Sequence, residues 1–193
     1  MHFKNPTLFL DRDGVINVQK QGGYIQNCAE FQFLPKDLTI FKKISEFFGT
    51  VLVVTNQQCI AKGLMTENDL NEIHNLMLTE INKAGGHINK VYFCPDFAYL
   101  NSPCRKPNIG MALKAKEDFP DIDFANAVMV GDSDTDIEFG KRLGMLTVWI
   151  DNGYSSEKKR KVLKAEADYV FSSLEAFVDN LSAVFLTKFH NGT

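Results

Sequence analysis

Several things are scarce in this 193-residue chain, and each scarcity narrows its function. No apolar run approaches the ~20 residues that a membrane-spanning helix needs, so no membrane partner is expected. Positive charge is not in excess: 21 Lys and Arg face 24 Asp and Glu, a formal net charge of −3. That speaks against nucleic acid as a partner, because such affinity comes mainly from neutralising phosphates with Lys and Arg. Cysteine is sparse and scattered (Cys28, Cys59, Cys94, Cys104), too thin for a disulfide scaffold. Reduced thiols and a cytoplasmic location are therefore expected. No signal-peptide pattern is present, since Lys4, Asn5 and Pro6 run directly into the first apolar stretch. The histidines His2, His74, His87 and His190 lie away from every expected strand end and read as surface or packing residues.

What is present is an alternation of strand and helix. Short apolar runs at 7–10, 50–54, 90–94, 127–130, 146–150 and 168–170 read as core strands. Val51–Val54 is apolar on both faces, as a strand covered on both sides must be. Helical spacing marks 37–48, 66–84, 108–118, 135–143 and 174–181, the second opening on Thr66-Glu67-Asn68-Asp69, a variant capping box. This order predicts an α/β fold: a three-layer, Rossmann-like, doubly wound parallel sheet. No linker or repeat divides it, so one domain is expected over 1–185, with 186–193 as a loose end. A monomer or a homodimer is equally compatible. Two connections, 14–34 and 95–107, exceed the ~2–6 residues usual between strand and helix. Both leave the edge where ligands bind in such sheets.

At that edge the chemistry concentrates. Leu8-Phe9-Leu10 runs into Asp11-Arg12-Asp13-Gly14. Side chains alternate along an extended chain, so Asp11 and Asp13 face the same way. Two like charges aimed at one spot call for a divalent cation, or for a nucleophile beside a general acid. Asp and Gly after a strand also make ordinary turns. A turn, however, needs no second acid cluster, and Gly131-Asp132-Ser133-Asp134-Thr135-Asp136 follows another strand. Two such clusters point to a hard cation such as Mg²⁺. Thr55-Asn56-Gln57-Gln58 at a third strand tip offers a hydroxyl and amides to phosphate oxygens. Arg105-Lys106 precedes a helix expected from Asn108, near the positive end of its dipole.

Together, Asp11-Arg12-Asp13-Gly14, Thr55-Asn56-Gln57, Arg105-Lys106-Pro107 and Gly131-Asp132…Asp136 resemble the four motifs of the haloacid dehalogenase (HAD) superfamily phosphatases. The resemblance is to the branch without a large cap domain, which holds heptose bisphosphate and histidinol-phosphate phosphatases. Asp11–Asn17, Gly23-Tyr24-Ile25 and 55–63 extend it, and it spans about Thr7 to Ile150. It implies a Mg²⁺-dependent hydrolase of a small phosphomonoester, such as a heptose phosphate or histidinol phosphate. Asp11 is the implied nucleophile and Asp13 the acid and base. The metal is implied between the Asp11 carboxylate, the Asp13 main-chain oxygen and Asp132. Thr55 and Lys106 are implied as holders of transferring oxygens, with Asp136 in support. Arg12, Gly14, Tyr24, Asn56, Gln57 and Arg105 are the expected substrate contacts. A DNA 3′-phosphatase, or a binding module on the same fold, is the alternative.

The chain departs from its relatives twice. Many members hold a structural zinc after the third strand through Cys-Pro-His and Cys-x-Cys. Here the pattern is Cys94-Pro95-Asp96 and Ser102-Pro103-Cys104, which leaves too few N or S ligands, so zinc is expected to be absent. Ser133 stands where a cation is usual after Gly131-Asp132, which puts a bisphosphate substrate in question.

Overall fold

A computed structural model describes residues 6–153 and 155–190, with side chains from 6 to 185 except Tyr154. Six strands form one sheet: β1 (Thr7–Leu10), β2 (Thr50–Asn56), β3 (Lys90–Cys94), β4 (Ala127–Gly131), β5 (Leu146–Ile150) and β6 (Tyr169–Phe171). Their order is β3-β2-β1-β4-β5-β6, and every pairing is parallel. The helices are α1 (Ile40–Phe47), α2 (Glu67–Lys83), α3 (Gly110–Asp118), α4 (Asp134–Arg142), α5 (Glu157–Glu166), α6 (Leu174–Asp179) and α7 (Leu181–His190).

Strand alternation sorts the core into two faces. Leu8 and Leu10 point with Val51 and Val53 into one cluster shared with α1, α2, α6 and α7. Phe9 points the other way, with Leu52, Val54 and Met129, onto α3 and α4. Trp149 and Ile137 meet Leu163 of α5. β1 is buried along its whole length, because both faces are covered. The three-layer α/β architecture expected from the sequence is thus observed.

Chain order creates the site. The chain steps outward from β1 through β2 to β3, then returns to β4 on the other side of β1. Ligands in open α/β sheets bind beyond the strand ends at such a switch. Asp11 and Asp132 leave β1 and β4 on either side of it. The long connection between β1 and α1 holds only a 3-10 turn, Cys28–Glu30, and two isolated bridges, Asp13 to Asn17 and Asn17 to Phe33. It forms a wall and carries no inserted domain.

Some boundaries differ from the sequence reading. α3 starts at Gly110, two residues later than expected, as Gly110 N–H donates to Pro103 O at 2.9 Å. α5 carries one buried residue, Leu163, so it has too weak an apolar stripe to be read from spacing. The last helix continues to His190, into the stretch treated as a loose end; 191–193 lie outside the described residues.

Candidate active site

Asp11 continues β1 by donating its N–H to Val130 O at 2.9 Å. Its carboxylate, with those of Asp132 and Asp136, forms a cluster whose contributing oxygens lie within 4.8 Å of one another. Asp11 and Asp132 are each 8 % exposed and Asp136 is sealed. Lys106 enters from the loop after β3. Its Nζ stands 2.8 Å from Asp11 Oδ1 and 2.6 Å from Asp136 Oδ1, and it donates to Val54 O at 2.7 Å. Asp136 is itself fixed, because its Oδ2 accepts from the N–H and the hydroxyl of Ser133 at 3.1 and 2.5 Å.

One ammonium among three buried acids leaves negative charge uncompensated. Burial, reinforced by the charges of Asp136 and Asp13 and opposed by Lys106, lifts Asp11 to a pKa of about 7. Burial and the neighbouring Asp11 push Asp132 well above the usual carboxylate range. Burial works against the charge on Lys106, but Asp11 and Asp136 outweigh it and raise its pKa. Such a set of hard oxygen donors fits a divalent cation, which would keep both raised carboxylates ionised.

Asp13 shares the cleft but sits in a different field. Arg12 donates to both of its oxygens, at 3.0 and 2.9 Å. Asn17 donates to Oδ1 at 2.9 Å and Gln57 to Oδ2 at 2.8 Å. Burial would raise Asp13, but the Arg12 charge and these donors outweigh it and hold the pKa down. Gln57 also donates to Thr55 Oγ1 at 2.8 Å, which lies at the end of β2. Asn56 uses both ends of its amide on the backbone of Lys106: Oδ1 accepts from N–H at 3.0 Å, and Nδ2 donates to the carbonyl at 3.1 Å.

The open cleft above these groups measures about 170 Å³. Asp11, Asp13, Thr55, Asn56, Gln57, Lys106, Asp132 and Asp136 line it, and Gln19, Lys20, Tyr24 and Ser133 are in its wall. The Tyr24 hydroxyl accepts from Lys62 at 2.7 Å and Gln58 at 2.9 Å.

Residues 103–177 match the family described as HAD-hydrolase-like. D-glycero-alpha-D-manno-heptose-1,7-bisphosphate 7-phosphatase of Campylobacter jejuni is 35% identical over 156 residues, 81% of this chain and 86% of that protein. The chain belongs to the HAD-like phosphatases. D-glycero-beta-D-manno-heptose-1,7-bisphosphate 7-phosphatase of Rhodopseudomonas palustris is 32% identical over 149 residues, 74% of this chain and 81% of that one. The crystal structure of D,D-heptose 1,7-bisphosphate phosphatase from B. bronchiseptica, complexed with magnesium and phosphate, superimposes with a TM-score of 0.80. It is 28% identical and covers 92% of this chain and 98% of its own. These relatives are phosphatases by name.

Within this HAD-like phosphatase three expected substrate contacts take other positions. Arg12 is wholly buried beneath the cleft, held between Asp13 and His74 Nε2 at 3.2 Å, so it has no path to a substrate. Residues 12–17 form a tight turn, in which the N–H groups of Ile16 and Asn17 donate to the Arg12 carbonyl at 2.8 and 3.0 Å. His74, on α2, is neutral: burial and the Arg12 charge lower its pKa to about 3. Gly14 (φ +88°) also lies outside the cleft lining. A Cβ there would stand 2.0 Å from Asp132 Oδ2, so glycine is what lets the two loops touch. Arg105 donates to Asp96 O at 3.3 Å and does not itself line the cleft.

The cysteine expectation is corrected for one pair. Cys94 and Cys104 form a disulfide with Cα atoms 5.4 Å apart, while Cys28 and Cys59 are free. The loop after β3 turns back on itself, and positions ten apart in sequence become neighbours. Asp96 and Ser102 hydrogen-bond beside the pair. Sulfurs bonded to each other supply no thiolate, and one carboxylate with a hydroxyl does not make a tetrahedral zinc site. The sulfurs of Cys94 and Cys104 and one Asp96 oxygen lie within 4.8 Å of one another, three donors where a structural zinc site has four.

Two residues that no motif flags also reach the site. Trp149 Nε1 donates to the Asp132 carbonyl at 3.0 Å, and Asn152 Nδ2 donates to Asp132 Oδ2 at 3.0 Å. Their signal in the sequence is position alone, at and just past the end of β5.

Proposed function

We propose that this chain is a Mg²⁺-dependent phosphatase of sugar phosphates that works through an aspartyl-phosphate on Asp11. The observation that carries the reading is the convergence of Asp11, Asp132 and Asp136 with Lys106 at the switch point of the sheet. Asp11, Asp132 and the Asp13 main chain would hold the cation. When bound, Mg²⁺ supplies charge neutralisation that lets an anionic carboxylate approach an anionic phosphate.

Phosphoryl transfer asks mainly for positioning and charge compensation. Asp11 attacks phosphorus, and the ester oxygen leaves as the Asp11–phosphorus bond forms. Lys106 lies against the attacking carboxylate and offsets charge on the transferring oxygens. The Thr55 hydroxyl, oriented by Gln57, is placed to accompany them. Asp13 protonates the leaving oxygen, then takes a proton from the water that cleaves the aspartyl-phosphate. Asp13 is ionised in the free chain, so its proton arrives with the substrate, whose phosphate has a second pKa of about 6. The named relatives support a sugar phosphate; the polar wall of Gln19, Lys20 and Tyr24 suits hydroxyl groups. A net charge of −3 disfavours the DNA 3′-phosphatase reading.

Phosphate release from a panel of heptose phosphates, hexose phosphates, histidinol phosphate and a 3′-phosphorylated oligonucleotide, with Mg²⁺ or with chelator, tests this. Turnover of a sugar phosphate that requires Mg²⁺ is the expected result. Preference for the oligonucleotide, or turnover unaffected by chelator, overturns it.

A further inference from the structure

Asp132 is held at both ends from the loop region of β5. Trp149, 1 % exposed, fixes its main-chain carbonyl. Asn152 donates one amide nitrogen to two acceptors, Asp132 Oδ2 at 3.0 Å and the Gly14 carbonyl at 2.9 Å. That single carboxamide therefore ties together the turns that follow β1 and β4, on the two sides of the switch point. The fit is close: a Cβ on Gly14 would meet both Asp132 Oδ2 and Asn152 Nδ2, at 2.0 and 3.1 Å. Engaging Oδ2 restricts rotation of the carboxylate that joins the cluster of acids.

We infer that Asn152 is a positioning residue for the divalent cation, setting its affinity by orienting Asp132 against the Asp11–Gly14 turn. This rests on the reading of the cluster as a Mg²⁺ site. A donor behind a ligating carboxylate limits its rotation and selects the oxygen offered to the metal. Loss of such a partner typically costs about 10- to 100-fold in metal affinity. Asn152 is not among the residues that line the cleft, so saturating metal should restore turnover.

The test is Mg²⁺ binding to the metal-free full-length chain by titration calorimetry, for wild type, Asn152→Leu and Asn152→Ser. Leucine keeps the size of asparagine without a donor, and the shorter serine hydroxyl does not bridge both acceptors. The expected result is a Kd raised more than five-fold in each soluble variant, with kcat at saturating Mg²⁺ within two-fold of wild type. The melting temperature of the metal-free protein should be unchanged. A purely structural residue would lower that temperature and leave Kd alone. A Kd within five-fold of wild type overturns the inference while leaving the phosphatase reading standing. If Asn152→Leu does not fold, Asn152→Ser decides by the same threshold. A wild-type chain that binds no Mg²⁺ overturns both.

Discussion

The raised pKa of Asp11 makes Mg²⁺ binding depend on pH in a calculable way. Metal and proton compete for the same carboxylate. With a pKa of about 7, about nine chains in ten carry the carboxylate at pH 8 and about one in a hundred at pH 5. Mg²⁺ affinity should therefore fall roughly 100-fold between those values, about 3 kcal/mol. Asp132, also raised, shifts it in the same direction. The sole tryptophan, Trp149, bonds the Asp132 carbonyl, so its emission offers a direct readout of a Mg²⁺ titration. Melting curves of metal-free protein are a poor substitute. Asp11 has its folded pKa above its unfolded value, so its contribution is present below about pH 4 and is lost as pH rises through 7. From pH 5 to 8 that costs about 3 kcal/mol. His74 has its folded pKa lowered from 6.5 to about 3, so its contribution is present above 6.5 and lost as pH falls. Over the same interval it returns about 2 kcal/mol. The two oppose each other, and only the difference between scans with and without Mg²⁺ isolates the acids. A Mg²⁺ Kd that is the same at pH 5 and pH 8 would refute the placement of the cation against Asp11.

Other expectations are narrower. Asp13→Asn should lower kcat/KM for alkyl phosphates about 10²- to 10⁴-fold, the usual worth of a general acid. With p-nitrophenyl phosphate, whose leaving group needs no proton, kcat/KM should be spared while kcat falls, because Asp13 also activates the water that cleaves the aspartyl-phosphate; equal losses of kcat/KM on both substrates would count against the acid role. Cys104→Ser opens the loop closed by the Cys94–Cys104 disulfide. It should reduce stability of the oxidised protein by up to about 3 kcal/mol in denaturant titration, and no change would mean that the pair is not bonded in solution. Elemental analysis should find no stoichiometric zinc; one zinc per chain would overturn the reading of the Cys94, Asp96, Ser102 and Cys104 loop.

The sheet was legible because each strand is a short apolar run and each tip carries polar residues suited to phosphate or metal. The clustered acids Asp11, Asp132 and Asp136 were legible for the same reason. What hid from the sequence were contacts fixed by tertiary neighbours. Arg12 looks like a substrate contact beside two acids, but His74, 62 positions away, receives it on the buried side. Gly14 looks like a phosphate-binding glycine; its need is steric and set by Asp132 on another strand. Asn152 lies outside all four motifs, and nothing short of the β4–β5 pairing brings it to Asp132. α5 hid because only Leu163 is buried there.

Covalent catalysis by Asp11 is tested most directly by phosphate release in saturating Mg²⁺ from wild type and from Asp11→Asn, with folding of both checked by circular dichroism. Wild type should turn over and the folded variant should release no measurable phosphate. A folded Asp11→Asn protein with near-normal turnover would contradict the assignment.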